Sequence, residues 1–331
     1  MSAPLRVIFM GSDPIALPLL DWLAGEGGAL AGVVEVWTQP DRPAGRGQRV
    51  AAGPIKQWAL GRGVPVRQPE RLSATDVTAC AAAGADLALV LAYGHLLSDA
   101  LIATPRLGTL NLHASLLPRY RGASPIQSAV AGGERETGVT LMRVVRRMDA
   151  GPVADCERVA IGPLDTAAEI ATRLARAGVA VLARSLPLLQ AGRLTFAPQD
   201  EARASYCRRL AKADGLLDFA APAAVLAARI NGLHPWPGCA VEIDGLAVRL
   251  GLADIAAGAV DSDAAPGTVL GADGEGLLVA TGAGCLRLRR LQRPGGRMLA
   301  APEFLRGRAV PAGTRLASHP MTVLTGPAPL R

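Results

Sequence analysis

The chain has 331 residues, half of them hydrophobic and 19% charged, with 38 glycines and 25 prolines. That length and balance exclude a short disulfide scaffold, read as globular rather than disordered over the chain as a whole, and allow one large or two ordinary domains. The 35 Lys and Arg outnumber the 28 Asp and Glu for a formal net charge of +7, and only Lys56 and Lys212 among them are lysines. Arginine's planar fork suits phosphate, yet composition alone names no partner.

Taken in chain order, the N-terminus breaks its apolar run at Gly11, and no later stretch stays apolar for the ~20 residues of a membrane helix. No export signal or membrane span is expected. The runs VIFM (7–10), AGVVEVW (31–37), VPV (64–66), ADLALVLA (85–92) and GTLNLHA (108–114) alternate with stretches able to form helices. That rhythm predicts an α/β, Rossmann-like parallel sheet with crossover helices. A helix is expected to start at Pro14, and Asp165 or Thr166 is placed to cap a long one running to about 191. The texture changes after Gly192, where residues 193–212 read as a linker. From 213 onward one helix (221–231) precedes short runs separated by Gly and Asp, which predicts a small β-barrel. The domains are therefore expected at 1–192 and 213–331. Five scattered cysteines, none in a CxxC arrangement, point to reduced thiols in the cytoplasm and to no structural zinc.

The first strand runs into FMGSDP, not GxGxxG, which argues against a dinucleotide enzyme, and P-loop, HExxH and GxSxG signatures are also missing. In TLNLHAS the period-two alternation puts Asn111 and His113 on one face and Leu110 and Leu112 on the other. Two polar groups then share a face near the carboxyl end of a strand, where open α/β sheets hold ligands. The same spacing also fits a structural histidine beside a turn residue. Asp149, in RRMDAGP, lies in a loop between two apolar runs, a setting that equally fits an ordinary Asp turn. Together, an amide, an imidazole and a carboxylate can polarise a carbonyl, steady an oxyanion and manage an amine's proton. Nothing beside Ser115 activates it as a nucleophile, so direct transfer between two substrates is the simpler scheme.

The segments TQPDRPAGRGQRVAAGPIK (38–56), AYGHLL (92–97), NLHASLLPRYRGASPIQ (111–127), ETGVTLM (136–142), MDAGP (148–152) and NGLHPWPG (231–238) span most of the chain. In these the sequence resembles the folate-dependent formyltransferases, and within them the family that acts on methionyl-tRNA. The resemblance implies that Asn111, His113 and Asp149 are the catalytic set. It implies that 10-formyltetrahydrofolate donates the formyl group without a metal, and that initiator methionyl-tRNA receives it on its amine. By the same resemblance Ser115, Leu116, Leu117 and Pro118 bind the folate, and Tyr93, Gly94 and Leu96 line the pterin pocket with backbone groups. Where relatives commonly read GLDTG, this chain has Arg147, Met148 and Ala150 around the aspartate.

Seven basic residues against two acids lie between Trp37 and Arg71, and the resemblance assigns Arg42, with Arg46 and Arg49, to the tRNA. Residues 285–331 hold nine arginines and one acid, Glu303. Their strand CLRLRRLQ is expected to turn Arg287, Arg289 and Arg290 toward RNA from a barrel that the resemblance makes OB-like. A cytoplasmic monomer with no membrane partner is expected. The alternatives are a formyltransferase for a nucleotide or amino-sugar amine, a hydrolase releasing formate, and a noncatalytic RNA-binding protein. The tail after Leu316 has no family counterpart and reads as disordered.

Overall fold

The structure is a computed structural model that describes residues 3–44, 49–256 and 263–329. The chain divides into two compact units, one drawn from residues 1–122, 138–159 and 171–205, the other from 123–137, 160–170 and 206–331. The strands in chain order are β1 (Leu5–Gly11), β2 (Ala31–Trp37), β3 (Arg42–Ala44), β4 (Arg49–Ala51), β5 (Val66–Arg67), β6 (Leu87–Leu91), β7 (Thr109–His113), β8 (Arg121–Gly122), β9 (Glu136–Arg143) and β10 (Val153–Ala160). The helices among and after them are α1 (Leu17–Ala24), α2 (Pro54–Leu60), α3 (Ala74–Ala82), α4 (Asp99–Ala103), α5 (Pro125–Ala131) and α6 (Ala167–Gln190).

In the first unit seven strands form one sheet in the order β10-β9-β7-β6-β1-β2-β5. β1 lies inside the sheet and is buried at every position but Arg6, which is why VIFM after that arginine is an unbroken apolar run rather than an alternating one. Strands β5, β2, β1, β6 and β7 pair in parallel, as the sequence rhythm predicts. β9, which lies outside those runs, pairs antiparallel to β7, with Thr140 opposite His113. The chain re-enters the sheet at the end where it left, so no crossover is made and the direction reverses.

Ile8, Met10, Trp37, Ala88 and Tyr93 pack as one apolar cluster of this unit. Leu112 meets Leu19, Leu91 and Leu174 at a small apolar gap, on the face of β7 away from Asn111 and His113. Helix starts follow their capping chemistry: Ser73 and Asp76 cap each other's backbone at α3, and Thr166 and Glu169 do so at α6, where the sequence expected a start.

The second unit adds β11 (Tyr206–Cys207), α7 (Ala223–Leu233), β12 (Cys239–Ile243), β13 (Leu246–Ile255), β14 (Val269–Ala272), β15 (Leu277–Ala280), β16 (Cys285–Gln292), β17 (Leu299–Ala300), α8 (Ala301–Gly307) and β18 (Thr325–Gly326). Its main sheet runs β12-β13-β16-β15-β14, with β17 on β16, and every pairing is antiparallel. Register shifts around Leu252 interrupt the β13–β16 ladder, and such bulges bend a sheet. The expected barrel takes the form of a curled half-barrel.

Helix α7 lies in this unit's core through Leu226, Ile230 and Leu233. Gly232 lets it touch α5, because a Cβ there would stand 2.2 Å from the amide of Ala131. Buried Asn231 bonds both backbone groups of Ala253 in β13, which explains the Asn that opens NGLHPWPG. The tail beyond Leu316 is ordered through residue 329, contrary to expectation. His319 donates to Leu217, the buried Arg229 guanidinium reaches the carbonyl and hydroxyl of Thr322, and β18 pairs with β11.

Candidate active site

Asn111 and His113 stand at the carboxyl end of β7, where the alternation placed them. His113 is buried, and its Nε2 lies 2.8 Å from the carbonyl oxygen of Tyr120. A carbonyl only accepts, so Nε2 carries a proton and Nδ1 is the ring edge left for chemistry. Nδ1 faces Oδ1 of Asp149 at 3.7 Å. The other carboxylate oxygen, Oδ2, accepts the Gly122 amide at 2.8 Å. Asn111 is half-buried, and its amide bonds no described residue, so both its N–H groups remain available.

The Asp149 turn is held by a network that sequence reasoning missed. Asp149 adopts a left-handed backbone with φ of 50°, a conformation costly for a residue with a Cβ. Gln199 donates its side-chain amide to the carbonyls of Asp149 (2.9 Å) and Gly151 (2.7 Å). Its Oε1 accepts from Nε and Nη2 of Arg121 at 3.1 and 2.7 Å. Arg121, 0% exposed, also grips both carboxylate oxygens of Glu201, at 3.0 and 2.9 Å. Hydrogen bonding from Arg121 holds the Glu201 carboxyl below its ordinary value, against the opposing effect of burial and with help from the charges of Arg121 and Arg147. Gly151 sits so close to Arg143 that a Cβ would fall 1.8 Å from its carbonyl oxygen, which accounts for the glycine after the aspartate.

The departure at 147–150 is accommodated in the same place. The positive φ falls on Asp149 and not on Arg147, whose guanidinium pairs with Glu201. Gln199 and Glu201 lie within residues 193–212, read from sequence as a linker; Gln199 bonds the Asp149 turn, and Glu201 holds the side chains of Arg121 and Arg147. The available signal was a Gln and a Glu two apart, FAPQDE, after a long helix.

The expected folate residues divide between packing and open surface. Ser115 is fully buried and its hydroxyl donates to Arg119 at 2.6 Å, closing its own turn. Its carbonyl accepts from Thr140, whose hydroxyl in turn accepts the Leu117 amide. Leu116 packs on Gly138, and the half-buried Leu117 and Pro118 share a cis peptide bond. Tyr93 is a core residue whose carbonyl accepts from Gln39 at 3.1 Å, so its ring does not line an open pocket. Beyond it the loop turns through Gly94 at φ 83°, and Leu96 is 77% exposed. The amides of residues 93–97 donate to no described residue, and Nε2 of His95 is buried without a partner among them. Such a loop offers unspent donors to a flat, polar-edged ligand. Among the described residues, no group of three His, Cys, Asp or Glu is placed to hold a metal ion.

The basic residues fare unevenly. Arg42 is exposed in β3, which pairs with β4 as a short hairpin. Arg49 opens β4, and Arg46 lies outside the described residues. Lys56 is bound to Asp41 at 2.5 Å. In the second unit Arg287 and Arg289 are mostly buried and tied to carboxylates: Asp254 and Glu275 take both, and Asp273 takes Arg287. β13 and the β14–β15 turn supply these counter-charges. Arg290 is exposed and has no ion pair among the described residues.

The mostly parallel sheet carries an amide and an imidazole at the carboxyl end of β7 with a carboxylate in a nearby turn, and the chain belongs to the formyl transferases. The family described as "Formyl transferase" matches residues 5–186, and "Formyl transferase, C-terminal domain" matches 209–309. The chain is 42% identical over 309 residues to the Methionyl-tRNA formyltransferase of Ectopseudomonas mendocina, covering 93% of this chain and 96% of that one. It is 43% identical over 310 residues to that of Sorangium cellulosum, covering 93% and 98%. The chain belongs to the methionyl-tRNA formyltransferase family. Its fold is shared with WlaRD, a sugar 3N-formyl transferase (TM-score 0.63, 14% identity, 90% of this chain and 100% of that one). It is shared too with HypX from Aquifex aeolicus in complex with tetrahydrofolic acid (TM-score 0.60, 17% identity, 92% of this chain and 47% of that one).

Proposed function

We propose that this protein transfers the formyl group of 10-formyltetrahydrofolate to the α-amine of methionyl initiator tRNA, the formylation that prepares this tRNA for translation initiation. The observation that carries the reading is the pairing of His113 with Asp149 at 3.7 Å beside an unengaged Asn111 amide. The family's relatives named above support the choice of acceptor.

10-Formyltetrahydrofolate supplies the formyl carbon as co-substrate, and the open donors of residues 93–97 with the 115–118 turn suit its ring. The neutral α-amine attacks that carbon directly. Asn111 donates its side-chain N–H to the formyl oxygen as charge develops there, and His113 adds a proton on Nδ1. Asp149 faces that nitrogen and balances the imidazolium charge. With Oδ2 fixed by Gly122, Asp149 keeps Oδ1 toward the site, where it accepts a proton from the attacking nitrogen for delivery to the departing folate nitrogen.

Residues 1–192 form the catalytic part in this reading, 193–212 link it to the rest and anchor the Asp149 turn, and 213–331 bind tRNA. Arg42, Arg46 and Arg49 present the acceptor end. The protein works as a cytoplasmic monomer; among its described residues no helix is long and apolar enough to cross a membrane.

The test supplies labelled 10-formyltetrahydrofolate with charged initiator tRNA, then with nucleotide and amino-sugar amines, then with water alone. Label is expected on methionyl-tRNA. Label reaching only a small amine or formate would overturn the choice of acceptor, and RNA retention with no turnover would leave a binding protein.

A further inference from the structure

In the second unit, the turn after α7 carries a solvent-facing aromatic within a basic surround. The chain has four tryptophans. Trp37 and Trp58 are buried and Trp22 is half-buried, while Trp236 is 52% exposed. Its large, flat aromatic face is thereby presented to solvent, where a planar partner can stack on it. Pro235 and Pro237 flank it and restrict its backbone.

Two cations border this turn. Arg249, on β13, donates from Nη2 to the Pro235 carbonyl at 2.8 Å, has no acidic partner among the described residues, and is exposed. Arg290, on β16, is likewise exposed and unpaired among them. Arg249 faces Gln292 across the β13–β16 ladder, two residues from Arg290. The half-buried His234 feels both: burial first, then the charges of Arg249 and Arg290, hold its imidazole below the ordinary value despite Glu169. On β16 itself the charges are segregated, since Arg287 and Arg289 are neutralised by Asp254, Asp273 and Glu275. The unit thus spends its carboxylates on one stretch of the strand and leaves the other positive.

We infer that Trp236, Arg249 and Arg290 form an RNA contact site in which an unpaired base stacks on the indole and the two guanidinium groups meet the flanking phosphates. An aromatic face accepts any base, and exposed arginines beside it supply the sequence-independent charge. The inference rests on the reading of this protein as an enzyme acting on tRNA.

The test measures binding of uncharged initiator tRNA to the full chain across a salt series, with heparin as a polyanion that has no bases. Trp236→Ala is expected to weaken tRNA binding about tenfold while leaving the salt slope unchanged. Arg249→Ala and Arg290→Ala are each expected to flatten that slope by about 1. Heparin binding should fall in the arginine variants and not in Trp236→Ala. Trp236→Leu, which keeps an apolar side chain, should bind tRNA as poorly as the alanine variant. Wild-type affinity in either Trp236 variant, or equal loss toward heparin and tRNA, would overturn the stacking site. Formylation by the wild-type protein is scored separately, so failure of the enzymatic reading shows as absent turnover and failure of this site as unchanged binding.

Discussion

Gln199 touches neither partner of the proposed reaction, yet two substitutions there separate stability from turnover. Its Oε1 accepts two bonds from Arg121, which is wholly buried, and its amide donates to the carbonyls of Asp149 and Gly151. Gln199→Leu removes all four. A hydrogen bond to a charged group contributes about 1.5–3 kcal/mol, and Glu201 still pairs with Arg121, so the expected loss of stability is about 2–3 kcal/mol. Gln199→Glu keeps the acceptor for Arg121 but turns a carboxylate toward two carbonyls that need donors. Its unfolding free energy should stay within about 1 kcal/mol of wild type. Asp149 would lose the restraint on its left-handed turn, whose cost is about 1–2 kcal/mol. A displaced carboxylate lowers kcat, by about ten- to a hundredfold if it moves on the order of 1 Å. Urea melts and single-turnover formylation with saturating tRNA read the two quantities. Wild-type kcat in Gln199→Glu would refute the role given to these two bonds.

Asn111→Ala and Asp149→Ala should each abolish measurable turnover in the same formylation assay while circular dichroism stays native, and unchanged turnover would remove that residue from the mechanism. Arg42→Ala should raise KM for methionyl-tRNA and leave the affinity for 10-formyltetrahydrofolate unchanged; equal losses on both would show that Arg42 does not serve the tRNA alone. Burial pushes the Asp214 carboxyl up, but Arg208, Thr322 and the Ala211 amide outweigh it and bring it to about 2 from 3.8. Stability from this group is therefore present above about 3.8 and lost as pH falls toward about 2, a contribution of about 2 kcal/mol. Asp214→Asn should flatten the acid limb of the stability curve in that window, as read by urea melts at stepped pH.

Much of the first unit was legible because parallel strands advertise themselves as apolar runs, and β2 and β7 fall where AGVVEVW and TLNLH place them. The reversal at β9 was hidden, since TGVTLM carries no mark of direction and only the pairing of Thr140 with His113 sets it. Asn111 and His113 were readable from alternation within one strand. Asp149 needed a resemblance, because its meeting with His113 depends on a turn whose restraint comes from residues about fifty positions away. The arginines of β16 show another limit. Sequence counts Arg287 and Arg289 as free charge, whereas their neutralising acids come from β13 and from the turn between β14 and β15.

The grip of Arg229 on Thr322 joins residues 93 positions apart, near the far end of the described chain. During synthesis α7 leaves the ribosome long before that partner exists. Until Thr322 arrives, the guanidinium has only the Asp214 carbonyl to satisfy it, and Asp214 lacks the hydroxyl that later helps to hold its charge. Closure of this unit's interior therefore waits until residue 322 has been made, and a chain lacking Thr322 leaves the buried guanidinium with the Asp214 carbonyl alone among these partners.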